Sequence, residues 1–286
     1  MTSPTEMLKK LRSHDPLERF DALKAIGDTR LEQPVRGEVL RIALEDKQSY
    51  NRLGALRVLK PQWPAAEVTR VFSARLKDEP YIVTSVLQML GEIGDAQALA
   101  MLTATYFATQ KPEVKVAVLS NLYHASQQYL YDFLVKSNAL NHKDEKVRAA
   151  TVALLGRQKN PTMRRLFVDR LKDADSRVRA NAVEALGEIL DGPELARIVA
   201  PYAVADPSNR VRANSLVLLL KAGVRKAQDF LIQMAGHTDP RWRASAAYAM
   251  RHVPPAQELS PWVRQLAGDA DEQVAAQAEL ALPRFA

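Results

Sequence analysis

One residue type and two kinds of segment are missing from this sequence, and each absence excludes some classes of protein. There is no cysteine, which excludes disulfides, a thiolate nucleophile and cysteine-ligated zinc. No apolar run approaches the roughly 18 residues of a membrane-spanning helix, so no membrane span is expected. The first residues, MTSPTEMLKKLRSHDP, contain no apolar segment typical of a secretory signal. We therefore expect a cytoplasmic protein that does not contact a membrane.

The composition is that of a folded protein with a mild excess of basic side chains. The chain of 286 residues is 47% hydrophobic and 26% charged, which supplies enough apolar material for a sizeable core. It holds 40 basic and 33 acidic side chains, so its net charge is +7. A positive balance of this size favours acidic or polyanionic partners without naming one.

A segment of about 32 residues recurs along the chain in nine copies. Its clearest copy, LKDADSRVRANAVEALGEI at 171–189, is typical of a helix end, a polar turn and a second amphipathic helix. Asp175 is a natural N-cap, and Gly187 indicates the approach to the helix C-terminus. The apolar stripe of this helix consists of Val178, Ala182, Ala185 and Ile189. We call the position of Val178 the register position, and its nine residues are Glu18, Asn51, Ile82, Val114, Val147, Val178, Val211, Trp242 and Val274.

The string D-x-x-V-R-x-x-A-x-x-A-L-G at 175–187 resembles the second half of a HEAT repeat, of the subtype also found in phycobilin-lyase-like proteins. This resemblance implies an all-α fold, a right-handed α-solenoid of about nine HEAT-like helical hairpins. No flexible linker interrupts the pattern, so we expect residues 1–286 to form a single HEAT-repeat domain. The predicted repeats span roughly 5–29, 35–61, 66–94, 97–124, 129–157, 161–190, 193–222, 225–252 and 258–284.

Some copies depart from the pattern. Terminal copies of a solenoid face water on one side, and we expect this for the first two copies because Glu18 and Asn51 replace the aliphatic register residue. The connector at 61–64 is the most irregular, which makes it a candidate for a bend or a functional loop. Pro201 falls inside the first helix of the seventh repeat, where a proline bends a helix.

The residue after the register position is basic in seven of the nine copies: Arg19, Arg52, Lys115, Arg148, Arg179, Arg212 and Arg243. At about 100° per residue this position lies at the flank of the apolar stripe, beside the seam between repeats. In HEAT-like proteins the matching arginine pairs with a turn aspartate of a neighbouring copy. The aspartates available here are Asp46, Asp78, Asp144, Asp173, Asp206 and Asp239. We therefore predict a structural ladder of ion pairs rather than a surface for nucleic acid.

Positions −1, +3, +6 and +10 from the register position lie opposite the apolar stripe and are free for function. In HEAT arrays they line the concave surface, where partners usually bind. The −1 residues of repeats five to eight form a basic column of Lys146, Arg177, Arg210 and Arg241. The predicted partner-binding set adds Arg157, Asn181, Asn214, Lys221 and Tyr248 on the same side, and Tyr50 and Tyr81 near the N-terminus. The alternative is that the −1 residues are solvated side chains chosen for solubility.

No catalytic or metal site is visible in the sequence. Deoxyhypusine hydroxylase-like HEAT proteins carry repeated His-Glu pairs that hold iron, whereas none of the five histidines here precedes a glutamate. HEAT-like DNA glycosylases use a basic groove with an acidic residue and tryptophans, and those residues cannot be matched in this chain. There is no glycine-rich phosphate loop and no nucleophile–base set. These observations predict a protein that is not an enzyme and needs no cofactor or metal.

Two functions remain open at this stage. The first is a non-enzymatic adaptor or scaffold whose concave face binds another protein or peptide, most simply an acidic segment that meets the basic column. The alternative is a HEAT protein that grips the phosphate backbone of a nucleic acid through the same column, including a DNA-glycosylase-like repair role.

Overall fold

A computed structural model of the protein describes residues 3–26 and 31–285. These residues contain eighteen α-helices and no β-strand, which confirms the all-α prediction. Packing divides the chain into two compact units, which we call unit 1 (Met1–Ser137) and unit 2 (Asn138–Ala286). Within the described ranges, no helix is both long and apolar enough to span a bilayer. The cytoplasmic location stays a prediction.

Unit 1 is built from successive helical hairpins. The helices in its described residues are α1 (Pro4–Leu11), α2 (Pro16–Ile26), α3 (Val35–Glu45), α4 (Ser49–Leu59), α5 (Ala66–Arg75), α6 (Pro80–Ile93), α7 (Ala96–Ala108), α8 (Pro112–Ser120) and α9 (Gln127–Ser137). Second helices of neighbouring hairpins pack on one another, α2 on α4, α4 on α6 and α6 on α8, and first helices α1, α3 and α5 pack likewise. The end of the first predicted repeat, 27–29, lies outside the described residues.

Unit 2 repeats this arrangement. Its even-numbered helices form one layer, in which α10 packs on α12, α12 on α14, α14 on α16 and α16 on α18. Its helices are α10 (Glu145–Gly156), α11 (Arg164–Arg170), α12 (Ser176–Ile189), α13 (Gly192–Ala205), α14 (Asn209–Lys221), α15 (Ala227–Ala235), α16 (Pro240–His252), α17 (Ser260–Ala267) and α18 (Glu272–Glu279). Stacked hairpins of this kind are those of an α-solenoid, as predicted. The division between the units falls inside the predicted fifth repeat, and a single domain stays a prediction.

Aspartate N-caps start four second helices of unit 2, α10, α12, α16 and α18, whereas Ser208 caps α14. The Asp175 carboxylate accepts the backbone N–H groups of Arg177 at 2.9 Å and Val178 at 3.4 Å, which satisfies donors that a helix start leaves unpaired. Asp144 and Asp271 cap α10 and α18 in the same way, and Asp239 caps α16. The sequence prediction for Asp175 is confirmed.

The predicted ladder is present at five seams. Arg179 donates from Nε and Nη2 to the two carboxylate oxygens of Asp206, at 2.8 and 2.9 Å, and from Nη1 to the backbone carbonyls of Asp173 and Ala174. Each such arginine therefore fastens its own turn to the turn of the next repeat. The four other pairs are Arg19–Asp46, Arg52–Asp78, Arg148–Asp173 and Arg243–Asp269.

Two of the predicted ladder cations have no carboxylate partner in the described residues. Arg212 lies over the ring of Trp242, with its guanidinium carbon 5.0 Å from the ring centroid, because His237 stands where other copies have the ladder aspartate. Lys115 lies 4.3 Å from the centroid of Tyr106. Cation–π contacts replace the ion pairs there. The predicted ladder roles of Asp144 and Asp239 are wrong, since both cap helices.

Three further positions that the sequence singles out can be examined in the structure. Asn51, which replaces the aliphatic register residue in the second copy, is fully buried, and its side chain donates to the carbonyl of Pro16 at 3.1 Å. The irregular connector at 61–64 is packed, since the indole N–H of Trp63 donates to Asp95 at 2.6 Å. Pro201 lies inside α13, as predicted.

Candidate binding face on the even helices

The predicted basic column lies on the first turns of four even helices of unit 2, and we call the solvent side of these helices the even face. Each column residue follows a helix start directly, so its side chain points away from the buried stripe. The exposed fractions of the Arg177, Arg210 and Arg241 side chains are 42%, 52% and 81%. Lys146 is exposed as well.

Three of these four cations are already paired with carboxylates. Arg177 Nη2 lies 3.0 Å from both Asp175 and Glu145, and Arg210 Nη2 lies 3.0 Å from Glu184. Arg241 pairs with the cap of its own helix, Asp239, at 2.6 Å, and this hydrogen bond lowers the pKa of that carboxyl to about 2. The column is therefore a row of exposed ion pairs and not a bare polycation.

A groove of about 580 Å³, which we call the first groove, opens among α10, α12, α14 and α16. Five of the predicted partner-binding residues line it: Arg157, Asn181, Asn214, Lys221 and Tyr248. Arg157 and Lys221 are exposed, and neither forms an ion pair with any residue that the structure describes. Their positive charges are available to a ligand.

Glycines bring the walls of the first groove close together. A Cβ atom on Gly156 of α10 would lie 2.9 Å from the Cβ of Ala185 in α12. A Cβ atom on Gly187 would lie 2.5 Å from a methyl group of Leu218 in α14. Both distances are shorter than carbon atoms allow, so a methyl group at either glycine would force a neighbour to move, and at Gly156 that neighbour is Ala185, whose atoms move only with their helix.

A second groove of about 530 Å³ lies beside the first and is lined by Arg210, Arg241, Ser245 and Gln277, among others. The two grooves share Glu184, Asn214 and Tyr248. Asn214 departs from the expectation of a free polar residue, because it is 8% exposed and its amide donates to Glu184 at 2.6 Å. Tyr248 is 43% exposed.

His252 adds a neutral ring to the first groove. Burial lowers the pKa of its imidazole, and the positive charges of Arg251 and Lys221 lower it further. The ring therefore carries no charge near pH 7. Its centroid lies 4.4 Å from that of Tyr248.

The two remaining predicted residues belong to unit 1. Tyr50 is half-buried and packs edge-on against Phe20, with ring centroids 5.5 Å apart. Tyr81 stands at the start of α6 and is 45% exposed. A role in partner binding stays a prediction for both.

The sequence reasoning missed two acidic residues of the first groove, Glu184 and Glu188. Both occupy positions in the set that it assigned to the exposed face, +6 and +10 from Val178. Both glutamates are therefore predictable from the same positions when acidic residues are considered as well as basic ones. Among the residues described, no group of three or more histidine, aspartate or glutamate side chains could hold a metal ion.

Comparison with known families identifies the repeats. The family model described as HEAT repeats matches residues 135–216 and 196–283, which together make up just over half of the chain. The chain therefore belongs to the HEAT repeat family, and the resemblance of its repeat motif is confirmed. No curated protein matches the chain.

Solved structures are similar to this chain at low sequence identity. The crystal structure of YibA from Escherichia coli matches with a TM-score of 0.53 and 16% identity, over 94% of this chain and 97% of that one. Human deoxyhypusine hydroxylase in complex with glycerol matches with a TM-score of 0.38 and 16% identity, over 95% of this chain and 99% of that one. At these identities the matches concern the fold alone.

One prediction is corrected by these matches. The sequence predicts a protein that is not an enzyme, yet the matching structures include a hydroxylase. We therefore do not retain the prediction of a non-enzymatic protein. The similarity assigns no reaction and no catalytic residue to this chain.

Proposed function

We propose that unit 2 binds an acidic segment of another protein through its even face. The family supports this proposal, because HEAT repeat proteins are typically scaffolds for protein interactions. The charge of the unit supports it too. Unit 2 holds 22 lysines and arginines against 17 aspartates and glutamates, so it accounts for +5 of the net charge of +7. Such a surface attracts acidic segments over long range.

One observation carries the proposal. The first groove presents two exposed cations without carboxylate partners, Arg157 and Lys221, together with the partly exposed ring of Tyr248. Arginine and tyrosine are enriched among the residues that dominate protein interfaces. An unpaired cation gains a full ion pair when a ligand carboxylate arrives, whereas a paired one must first give up its partner.

The carboxylates of the even face favour a peptide over a nucleic acid. Glu184 and Glu188 line the first groove, and Arg177, Arg210 and Arg241 each hold an acidic partner. Duplex DNA carries one negative charge per roughly 1.7 Å of axis, so a bound duplex would meet these carboxylates at close range. An acidic peptide can place its fewer charges between them.

The test begins with peptides selected from a random library on the full chain, whose binding is then measured by fluorescence anisotropy. We expect acidic sequences, with binding weakened at least about tenfold by the double change Arg157→Glu and Lys221→Glu, since each reversal turns an attraction into a repulsion. The matched control is Arg165→Glu with Lys226→Glu. These residues make the same change of charge at exposed positions of α11 and the start of α15, outside both grooves.

Either of two results would contradict the proposal: selected peptides without acidic residues, or binding that the groove variant and the control variant weaken equally. Labelled random-sequence duplex and single-stranded DNA, at low and physiological salt, form a parallel measurement. Micromolar binding of DNA that survives physiological salt, without acidic peptides among those selected, would replace the proposal by phosphate-backbone binding.

A further inference from the structure

Two hydrogen-bond donors of α14 converge on a single oxygen of Glu184 in α12. Arg210 Nη2 lies 3.0 Å from Glu184 Oε1, and Asn214 Nδ2 lies 2.6 Å from the same atom. Arg210 is held in this place by a further contact, since its Nη2 lies 3.2 Å from Asn181 Oδ1. A guanidinium and an amide aimed at one point form a binding position for a carboxylate oxygen.

The Asn214 donor is fixed, but the carboxylate that occupies this position is not. Asn214 is 8% exposed, so the surrounding helices hold its amide in place. The side chain of Glu184, in contrast, is 52% exposed and lines both grooves. A long, exposed side chain can rotate into solvent at small cost. A ligand carboxylate that enters either groove can therefore exchange with it.

We infer that Glu184 is a specificity-determining residue of the even face, because its carboxylate competes with a ligand's carboxylate for Arg210 and Asn214. This inference rests on the proposed binding of acidic segments. The even face therefore carries its own competitor for anionic ligands, the Glu184 carboxylate. Glu184 weakens the binding of weakly acidic ligands and of densely charged ligands. Only a ligand that makes further contacts in the grooves displaces its carboxylate.

Glu188, one helical turn further along α12, is the matched control. It lines the first groove and has a similar exposed fraction, 49%, but its partner is the flexible and exposed Lys159. Neutralising either glutamate removes one negative charge from the same groove. Only the change at Glu184 also frees two donors that converge on one point. The two variants therefore separate a defined anion position from a general effect of charge.

The experiment measures binding of a fluorescent decaglutamate peptide to the full chain. We expect Glu184→Ala to bind about tenfold more tightly than the unchanged protein, and Glu188→Ala about twofold. Glu184→Gln should lie between, because the amide keeps an acceptor for Arg210 but loses the charge. Equal gains for the two alanine variants would overturn the inference, since charge alone would then explain both.

A second arm tests the role of Arg210. In an Arg210→Gln background the gain from Glu184→Ala should fall below about twofold, because the main donor that it frees is absent. A gain that remains tenfold would also overturn the inference. Thermal unfolding of each variant shows that these exposed substitutions leave the fold intact.

Failure of the inference and failure of the proposed function are distinguishable. If Glu184→Ala binds decaglutamate and neither the unchanged protein nor Glu188→Ala does, the inference stands whatever peptides the library selects. If neither protein binds decaglutamate, the inference is overturned. The proposed function is judged separately, by the selected peptides and the reversal of Arg157 and Lys221.

Discussion

Arg177 and Arg179 are two residues apart on α12 and have different roles. The side chain of Arg179 is 11% exposed and lies in the seam against Asp206, whereas that of Arg177 is 42% exposed on the even face. A separation of two residues turns the side chain by about 200° around a helix. Adjacent arginines of one motif therefore divide into one that holds repeats together and one that meets solvent.

Replacement of Arg179 by alanine should lower the free energy of unfolding by about 2–4 kcal/mol. The change leaves the Asp206 carboxylate, whose side chain is 4% exposed, without its bidentate partner. It also removes the donors of two backbone carbonyls in the preceding turn. Urea unfolding followed by circular dichroism at pH 7 measures the effect.

Arg177→Ala is the control for this measurement. Its side chain is 42% exposed and its ion pairs with Asp175 and Glu145 are partly open to solvent, so the expected loss is below about 1 kcal/mol. Equal losses for the two variants would show that the ladder does not stabilise the seams.

At the scale of the helices, the cost of adding a side chain at Gly156 or Gly187 depends on which atoms lie opposite each glycine. Opposite Gly156 lie the Cβ and Cα atoms of Ala185, which is 3% exposed and cannot move without its helix. Opposite Gly187 lie the terminal methyl groups of Leu218, a half-buried side chain that can rotate. The shorter of the two contacts is therefore the easier one to relieve.

Gly156→Ala should accordingly destabilise the protein by about 1–2 kcal/mol, because overpacking against Ala185 outweighs the gain in helix propensity. Gly187→Ala should change stability by less than about 0.5 kcal/mol, since rotation of Leu218 and better propensity nearly cancel. Thermal unfolding of both variants provides the comparison. A larger loss for Gly187→Ala would refute this account of the packing.

At the scale of the whole molecule, the ladder carboxylates link stability to pH. Burial alone would raise the pKa of Asp46, Asp78 and Asp173, but hydrogen bonds from their arginines and from backbone N–H groups outweigh it, and the net shift is downward. For Asp269 the hydrogen bond from Arg243 is the largest cause of the lowered pKa. Because the unfolded chain then takes up protons at higher pH than the folded one, acid favours unfolding.

We expect the free energy of unfolding to fall only slightly from pH 7 to about 5, because the unfolded chain, in which the pKa of His252 is not lowered, takes up a proton there first. It should fall below about pH 4, the ordinary range of an aspartate, and continue to fall toward the lowered pKa values. Urea unfolding at pH 7, 5, 4 and 3 tests this expectation. Asp173→Asn should be less stable at pH 7 and lose less between pH 5 and 3, since one of the responsible carboxyls is absent. A decline that is complete above pH 5 would point to other groups.

The sequence could predict which residues of the site are exposed, but not which residues of neighbouring helices they contact. The exposed positions of Arg157 and Lys221 follow from helical periodicity, and the structure places both in one groove. The partners of Arg177 and Arg210 could not be predicted in this way. Glu145 and Glu184 lie on neighbouring helices, and which of their side chains come within 3 Å depends on how the helices pack.

The fold could be predicted from the sequence more fully than the site could, because the sequence pattern that specifies the fold is repeated. The period of about 32 residues, the aspartate caps and the arginine–aspartate spacing recur along the chain, and they specify all-α HEAT hairpins without reference to distant residues. Tertiary structure alone decided the burial of Asn51, the replacement of a ladder rung by His237 and Trp242, and the placement of Glu184 between Arg210 and Asn214. These features depend on side chains from adjacent repeats that meet only after the helices have packed.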